Sequence, residues 1–478
     1  MKGKYWYSKF GLTFLFLFVC VIPANANVYI QCPLFALDAF GRPDPTQLLP
    51  AGFYAPTGIT VLPPGVQYNP VTGNVEGSYT DVYGTHNVAC KSLSAGDGHA
   101  YMADRDRTGA NPDAGDIYTF GFDHVNVRPG QCVGSTCQGG YNAGAPCSSN
   151  SDCFEPIPTD QIMNMASDPT VPGGMLGTEI SAPTLIMREG QEFYLSLTNV
   201  GMVQRPDLFD PHTVHYHGFP NAGSVFDGEP MASFGISMGE TLTYYYNNIE
   251  PGTYMYHCHV EASEHMQMGM LGNLYVQPAQ DNNAGLKNLG TPPYAGFAYN
   301  DGDGSTGYHV SKFIQITAFD PVFHHDDNSY NPLDFAGMND TYGLLNGRGY
   351  PDTVLAGPIN NILGVASQNT DARVVATKGQ KILLRISSLA TTEFNTLTLL
   401  GMPMQVVGQG ARLLRGPDGK NLYYKTNSIT LGGGEAMDVI IDTSTVDPGT
   451  YFLYTTNLHK LSNDAEDFGG IMTEIVIN

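Results

Sequence analysis

The sequence has little positive charge. Its 478 residues contain 22 lysines and arginines against 45 aspartates and glutamates, a formal net charge of −23. A chain with so few cations cannot neutralise a run of phosphates, which excludes a nucleic-acid partner. Charged residues make up only 14% of the chain, which is low for a helical bundle and low for a disordered chain. We therefore expect a folded, acidic protein.

Long apolar runs and sustained helical periodicity are also missing. The longest apolar stretch, 10–22, is shorter than the ~20 residues that span a bilayer. Glycine (56), proline (32), tyrosine (28) and phenylalanine (23) are abundant instead, which is typical of short strands joined by tight turns. At ~100–200 residues per domain, the length predicts two or three domains. The fold class expected is all-β.

The first 26 residues have the features of a signal peptide. Three lysines precede the apolar stretch, and Ala24-Asn25-Ala26 has the small-x-small pattern of a cleavage site. The predicted product starts at Asn27 and is exported, to a periplasmic or extracellular location, without a transmembrane segment. Cys20 is removed with the signal, so seven cysteines remain. An odd number in an oxidising compartment leaves one thiol without a partner.

Most of the remaining cysteines are expected in disulfides. Four of the seven fall within 22 residues of a Gly/Ser/Asn-rich segment, as Cys132, Cys137, Cys147 and Cys153. This segment has too few apolar residues to form a core, which predicts a small insert (126–156) stapled by two disulfides. Cys32 and Cys90 can form a third bridge, although the sequence does not fix the connectivity. Cys258 is left over, and its neighbours are histidines.

Two parts of the chain resemble each other in sequence. The matched segments are MREGQEFYLSLTN (187–199) with TKGQKILLRISS (377–388), GETLTYYY (239–246) with GEAMDVII (434–441), and PGTYMYHCH (251–259) with PGTYFLYTT (448–456). They keep the same order, at offsets of 189, 195 and 197 residues. Together with apolar/polar alternation, this predicts two homologous β-sandwich domains.

The repeat divides the chain into regions. The first sandwich is predicted over 157–280 and the second over 309–478. A linker rich in Gly, Asn, Asp and Pro joins them at 281–308. Residues 27–125 form an extension whose strands the sequence does not place.

Histidines are concentrated in the first predicted sandwich. Six fall within 54 residues, as His212, His215, His217, His257, His259 and His265. Because alternate residues of a strand share a face, His215 and His217 should point together, as should His257 and His259. Two such pairs on neighbouring strands place four imidazoles around one spot outside the sandwich.

A second set of ligands should meet inside the same sandwich. Cys258 points away from its two histidine neighbours, and His212, His265 and Met270 can converge on it. Two imidazoles, a thiolate and a weak thioether are the ligands of a blue-copper centre, and they suit copper in both oxidation states. This use of Cys258 also accounts for the odd cysteine number. The alternative is a buried free thiol among ordinary histidines.

These motifs resemble the copper signatures of multicopper oxidases. HTVHYHG, DGEP, GETLTY and GTYMYHCH, with His265 and Met270 after them, carry the resemblance strongly over 178–280, and 309–478 carries it weakly. The domain order is similar to that of two-domain multicopper oxidases and copper nitrite reductases. The resemblance implies copper as the cofactor and two cupredoxin-like Greek-key β-sandwiches, preceded by the N-terminal extension and the disulfide-rich insert.

The resemblance also implies a role for each ligand. The type-1 copper would be held by His212, Cys258, His265 and Met270. A second copper site would be formed by His215, His217, His257 and His259. Zinc suits the second set equally. Opposite His212, His215 and His217, the second domain has Asn395, Thr398 and Leu400. Opposite residues 257–259 it has Tyr-Thr-Thr (454–456), so it lacks its own type-1 ligands.

Two further histidine segments receive opposite interpretations. Nitrite reductases place a histidine near the position of His459 to complete a type-2 copper site across a trimer interface. His459 is therefore a further candidate ligand, and the resemblance allows a homotrimer. The segment 324–327 (His-His-Asp-Asp) is predicted to be an acidic surface turn rather than a metal site.

The function expected is that of an exported copper oxidoreductase. A small-molecule or metal-ion reductant would supply electrons at Cys258, and they would pass through His257 and His259 to the second site. The paired histidines favour dioxygen as the acceptor, whereas His459 favours nitrite. The negative charge favours cationic donors such as Cu(I), Fe(II) or Mn(II). The alternative is a non-enzymatic electron carrier or copper-handling protein, because the second domain lacks its expected histidines.

Overall fold

The computed structural model describes residues 67–69, 72, 74–81, 84–108, 110–111, 114–124, 131–133, 135–138, 176–220 and 222–478. These residues form two β-sandwiches, which confirms the predicted all-β fold with two cupredoxin-like domains. The signal segment and most of the predicted insert lie outside the described residues. Cys32, Cys147 and Cys153 lie outside them as well, so the disulfides stay predictions.

The larger sheet of the first sandwich has six strands. They are β1 (Gln67–Asn69), β2 (Asn74–Asp81), β3 (Gly84–Tyr101), β4 (Asp116–His124), β8 (Gln191–Gly201) and β10 (Thr241–Asn247). Their order is β1-β2-β3-β8-β10, and β4 also pairs with β3. The extension left unplaced by the sequence therefore supplies four of the six strands.

The smaller sheet of the first sandwich carries His215, His217 and His257. Its strands are β7 (Ala182–Arg188), β9 (His215–His217), β11 (Gly252–His257) and β12 (Leu271–Gln277), in the order β7-β12-β11-β9. Apolar side chains from both sheets, among them Phe193, Tyr244 and Leu274, form one buried core. The alternation of buried and outward residues on β9 follows the period of two expected for a strand.

The second sandwich has the same plan. One sheet contains β15 (Val310–Phe319), β16 (Tyr342–Leu345), β20 (Lys381–Ser388), β22 (Met404–Gln409), β23 (Arg412–Leu413), β24 (Tyr424–Thr426) and β26 (Glu435–Asp442). The other contains β19 (Val374–Ala376), β21 (Asn395–Leu399), β25 (Ser428–Leu431), β27 (Gly449–Thr455) and β28 (Met472–Ile477). Isoleucine, leucine and valine fill the core between them.

The internal repeat is visible in the strand register. Leu195 pairs with Tyr244 across β8 and β10, and the matching residues of the repeat, Leu384 and Val439, pair across β20 and β26. β3 runs parallel to β8, just as β15 runs parallel to β20. The long strand β3 is thus the counterpart of the first strand of the second sandwich.

Short elements connect the strands. Three ribbons are made of strands of two or three residues. They are β5 (Gln131–Val133) with β6 (Thr136–Gln138), β13 (Gly296–Phe297) with β14 (Gly307–Tyr308), and β17 (Ile359–Asn360) with β18 (Ala366–Gln368). The α-helices are α1 (Ala262–Met268), α2 (Ala284–Lys287) and α3 (Pro321–Asn328). Short 3-10 turns lie at Ser224–Phe226, Ala279–Asn282, Asp352–Val354 and Leu458–Lys460. No helix in the described part of the chain has the length and apolarity to cross a membrane.

A buried polar cluster joins the two sandwiches. Arg385 and Asp438 are each 1% exposed, and their side chains lie 3.5 Å apart. Asp438 also accepts hydrogen bonds from Thr253 of the first sandwich and from Tyr299, both at 2.6 Å. Because buried charges are tolerated only when they are paired and hydrogen-bonded, this cluster fixes β11 against β20 and β26.

Candidate metal centres

Three metal-binding side chains meet inside the first sandwich, in what we call the inner site. His212 precedes β9, Cys258 directly follows β11, and His265 lies on α1. One donor atom from each lies within 4.8 Å of the other two. Nδ1 of His265 is 3.1 Å from Cys258 Sγ, and Nδ1 of His212 is 4.0 Å from it. All three residues are completely buried, and Cys258 is a free cysteine.

Met270 reaches the same core through a tight loop. The amide of Cys258 donates to the carbonyl of Met270 at 3.1 Å, and the amide of Met270 donates to that of His265 at 2.8 Å. Gly269 between them has φ +120, and a Cβ there would lie 2.8 Å from the backbone oxygen of Phe120. The loop therefore depends on glycine to bring His265 and Met270 close to Cys258.

Burial sets the protonation of the inner site. Burial raises the pKa of the Cys258 thiol to about 11, although the Thr213 amide donates to its sulfur at 3.4 Å. Burial lowers the pKa of His265 to about 4 and that of His212 well below its usual value. The imidazoles are therefore neutral and can act as ligands, while the thiolate needs a nearby cation. This donor set fits copper, since it combines a thiolate and two imidazoles with a thioether residue in the same core.

The four remaining histidines form an outer site on the edge of the same sheet. His215 pairs with His257 across β9 and β11. The ring of His215 lies 5.2 Å from that of His257, 4.9 Å from that of His259 and 6.0 Å from that of His217, measured between centroids. Donor atoms of His215, His217 and His257 lie within 4.8 Å of one another. The two pairs therefore converge as the strand alternation predicts.

Backbone carbonyls orient two of these rings. Nδ1 of His215 donates to the carbonyl of Asp227 at 2.7 Å, and Nδ1 of His257 donates to the carbonyl of Cys258 at 2.8 Å. Each contact fixes the ring and leaves Nε2 with its lone pair for a metal. Burial, followed by the neighbouring histidines, lowers the pKa of His217, and burial lowers that of His257 to about 3. Neutral rings in close contact are the state that binds a cation.

The second sandwich covers the outer site and encloses a cavity of ≈ 440 Å³. The wall from the first domain consists of the four histidines with Ala262, Ser263 and Met266. The wall from the second domain consists of residues 389–394 and 432–434. Glu393 is the one carboxylate among these lining residues. No motif marks Glu393 in the sequence, because it reaches the cavity only through the packing of the two domains.

The second sandwich supplies no histidine to this cavity. Thr398 pairs with Tyr454 across β21 and β27, in the register that His215 and His257 occupy in the first sandwich. His459 does not line the cavity. Its side chain is 64% exposed, and its Nε2 lies 3.6 Å from a carboxylate oxygen of Glu393. The structure therefore does not bring His459 together with the other predicted ligands.

One local prediction was wrong. Residues 324–327, expected as an acidic surface turn, belong to helix α3. Asp320 caps this helix by accepting from the amide of Val322 at 2.8 Å, and a proline occupies its first turn. His324 is buried, with Nδ1 at the carbonyl of Tyr118 and Nε2 2.9 Å from that of Gln267 on α1. The acidic residues suggested an exposed turn, but the Asp320 cap and the packing of His324 produce a partly buried helix instead.

Comparison with known proteins agrees with this geometry. Residues 163–281 and 317–474 match two models described as multicopper oxidase, which together cover more than half of the chain. The blue copper oxidase from Nitrosomonas europaea is 20% identical with a TM-score of 0.52, over 81% of this chain and 85% of that one. The multicopper oxidase mgLAC is 17% identical with a TM-score of 0.52, over 81% and 86%.

These two structural likenesses show a shared fold, and no curated protein matches the chain by sequence. One family model matches the sandwich that carries the clustered histidines and Cys258, and the other matches the sandwich that covers the outer site. The chain thus belongs to the multicopper oxidase family, whose members are copper-binding oxidoreductases.

Proposed function

We propose that the protein takes electrons from a reductant at the inner site and delivers them to dioxygen in the cavity of the outer site. One observation carries this proposal: Cys258 of the inner site lies in the chain between His257 and His259 of the outer site. The ring of His257 also donates to the carbonyl of Cys258. A thiolate ligand of one metal is thereby joined by single peptide links to imidazole ligands of the other.

The donor sets determine which residues would hold copper. The inner site would use His212, Cys258, His265 and Met270, and the outer site would use His215, His217, His257 and His259. Bound copper would supply the one-electron chemistry that no side chain of this chain provides. The protein's part is to keep water away from Cys258, to orient the histidine rings, and to enclose the space where the acceptor would bind.

The reductant would approach from the side of the exposed Glu261, which lies close to the buried His265. The carboxylates of Glu261 and Glu264 lie within 4.8 Å of a ring nitrogen of His265, and Glu261 is exposed. Together with the net charge of −23, this favours cationic reductants, including Cu(I), Fe(II) and Mn(II). We expect the rate constant for reduction of the inner site by a cationic donor to fall as salt is added, because salt screens the attraction.

Dioxygen is the acceptor that the cavity supports better than nitrite. The expectation of nitrite rested on His459, which lies outside the cavity lining. The homotrimer rested on the same histidine, and the described residues give it no support. Four histidines from one domain face the cavity, and Glu393 faces it from the other. This arrangement combines a metal-binding wall with one group able to carry protons.

The direct test is copper content, optical spectroscopy and electron paramagnetic resonance on the purified protein. We expect a blue thiolate–copper band, a second and spectrally distinct copper, and consumption of dioxygen with a cationic reductant. Cys258→Ser should remove the blue band, whereas His217→Ala should remove the second signal and keep the band. A single blue copper that is reduced and reoxidised by partner proteins, without consumption of dioxygen or nitrite, would identify an electron carrier instead.

Export belongs to the same proposal. The support is the signal-like segment 1–26, with its lysines, apolar stretch and small-x-small site. Determination of the N-terminus of protein recovered from the cell envelope or medium should give Asn27. Retention of residues 1–26 on protein recovered from the cytoplasm would contradict export.

A further inference from the structure

A third group of metal-binding side chains shares no residue with the two sites described above. Asp123 and His124 end strand β4, and Glu179 forms a β-bridge with the neighbouring Phe122, whose carbonyl accepts from the Glu179 amide at 3.0 Å. Donor atoms of Asp123, His124 and Glu179 lie within 4.8 Å of one another. Nδ1 of His124 is 2.6 Å from a Glu179 carboxylate oxygen.

The burial of this group is unusual for two acids. Asp123 is 5% exposed and Glu179 is 4% exposed, and their side chains are within hydrogen-bond reach of each other. Two buried carboxylates approach this closely only with a proton or a cation between them, because their like charges repel and both lose water. The buried ammonium group of Lys91 donates instead to the carbonyls of Thr72 and Thr184, at 3.3 and 3.5 Å.

A second histidine–glutamate pair in the same sandwich shows what distinguishes this cluster. Nδ1 of His86 also lies 2.6 Å from a carboxylate oxygen of its partner, Glu192. Among the described residues, no second carboxylate joins that pair to make three ligands within reach of one ion. The pairing of a histidine with a glutamate is therefore ordinary in this sheet. The additional buried acid at position 123 is the feature that completes a group of three ligands.

We propose that Asp123, His124 and Glu179 bind a divalent cation such as Zn²⁺. One imidazole nitrogen and two carboxylate oxygens match its ligand preferences, and the two negative charges balance the ion. The His124 side chain is 31% exposed, which gives the ion a way in and leaves room for water as a further ligand. Oxygen-rich ligation also separates this site from the inner site, where a thiolate favours copper.

The position of the cluster indicates a structural role. Glu179 contacts Asn369, and the next residue, Ile180, donates its amide to the carbonyl of Ser367 at 2.7 Å. Ser367 and Asn369 belong to the second domain's β17–β18 ribbon and the residue that follows it. An ion at this site would tie the end of β4 to that segment and so strengthen the contact between the two domains.

The test measures zinc, independently of turnover. Copper-replete full-length protein is dialysed against Zn²⁺, passed through gel filtration, and analysed for zinc and copper per chain by mass spectrometry, with the melting temperature measured in parallel. We expect one zinc per chain that is lost in His124→Ala and Asp123→Asn, with the copper content unchanged. Zinc should raise the melting temperature of the parent protein and not of these variants.

Control variants distinguish a site from nonspecific binding. His86→Ala removes the comparable histidine of the His86–Glu192 pair and should retain the zinc. Equal zinc content in the parent protein, His124→Ala and Asp123→Asn would overturn the proposal, as would a parent protein that retains none. Glu179→Gln should also lose the zinc, but it changes the most buried of the three side chains. If that variant does not fold, His124→Ala provides the test, because His124 is the most exposed of the three. Failure of the copper proposal would show in the copper count and spectrum instead.

Discussion

Gly434 of the second domain lies against the ring of His217 of the first. Its backbone has φ +86, and a Cβ at this position would lie 2.5 Å from Nε2 of His217, closer than any real contact. The shape of the second domain therefore determines how far the His217 ring can turn. In this way the second sandwich acts on the outer site without contributing a histidine to it.

Gly434→Ala should therefore displace His217 and weaken the outer site. We expect copper occupancy of that site to fall at least twofold, with the blue band unchanged. Copper analysis and paramagnetic resonance check this. Gly410→Ala is the matched control, because Gly410 also has a positive φ (+56) but open space around it, so it shares the backbone strain of roughly 1 kcal/mol without the contact. Equal loss in both variants would contradict the role of the contact.

Thr213 connects the two sites by a pair of hydrogen bonds. Its amide donates to Cys258 Sγ, and its hydroxyl accepts from the amide of His259 at 3.0 Å. Thr213→Val keeps the shape and the amide but leaves the amide of His259 unpaired, at a cost of about 1 kcal/mol. We expect the blue band to persist while the second copper signal changes. Thr213→Ser should restore that signal, and an unaltered signal in Thr213→Val would show that the hydroxyl has no such role.

Glu393 should matter for turnover and not for metal binding. Reduction of dioxygen to water consumes protons, and Glu393 is the carboxylic acid among the residues that line the cavity. Glu393→Gln keeps the size of the side chain and removes the acid. We expect kcat for dioxygen to fall about 100-fold, within the range for loss of a general acid, with unchanged copper content and unchanged reduction of the inner site. An unchanged kcat would exclude Glu393 from proton delivery.

Acid should destabilise the protein through His324. Burial lowers the pKa of His324 to about 4, whereas the unfolded chain titrates near 6.5. The unfolded state therefore binds this proton more readily, so its contribution to the unfolding free energy is complete above pH 6.5. That contribution is lost as the pH falls towards 4, at about 1.4 kcal/mol per pH unit.

Urea unfolding of the parent protein and of His324→Gln at several pH values tests this linkage. We expect the parent protein to lose its advantage over the variant as the pH falls from 6.5 to 4. His325→Gln, on the exposed side of the same helix, should follow the parent protein throughout. A constant difference between the parent protein and His324→Gln over this range would contradict the assignment.

The grouping of the proposed metal ligands could be predicted because it depends on local rules. In HYH and in HCH, the two histidines lie on the same face of their strand. The pairing of His215 with His257 then places the two histidine pairs next to each other. His265 and Met270 follow Cys258 within twelve residues, so one short connection, made of helix α1 and the loop after it, positions both. In each case short-range geometry was sufficient.

Other features depend on distant contacts and could not be predicted. β3 and β8 pair over a separation of about 100 residues, and the predicted disulfide insert lies between them in the sequence. The sequence repeat therefore did not reveal that strands before residue 125 belong to the first sandwich. Glu393 and Gly434 reach the outer site through the packing of the two sandwiches, to which the hydrogen bond from Thr253 to Asp438 contributes. His324 looked exposed from its acidic neighbours, yet it packs under α1.

All eight proposed copper ligands lie on one domain, between His212 and Met270, while the other domain supplies only a wall of loops. In the proposed function, separate stretches of the chain therefore retain the metal and select the acceptor. Exchange of residues 389–394 and 432–434 would reshape the chamber where the acceptor binds and leave every proposed ligand in place. With this two-domain layout, we expect that acceptor selectivity can be redesigned from the domain that contains none of the proposed ligands.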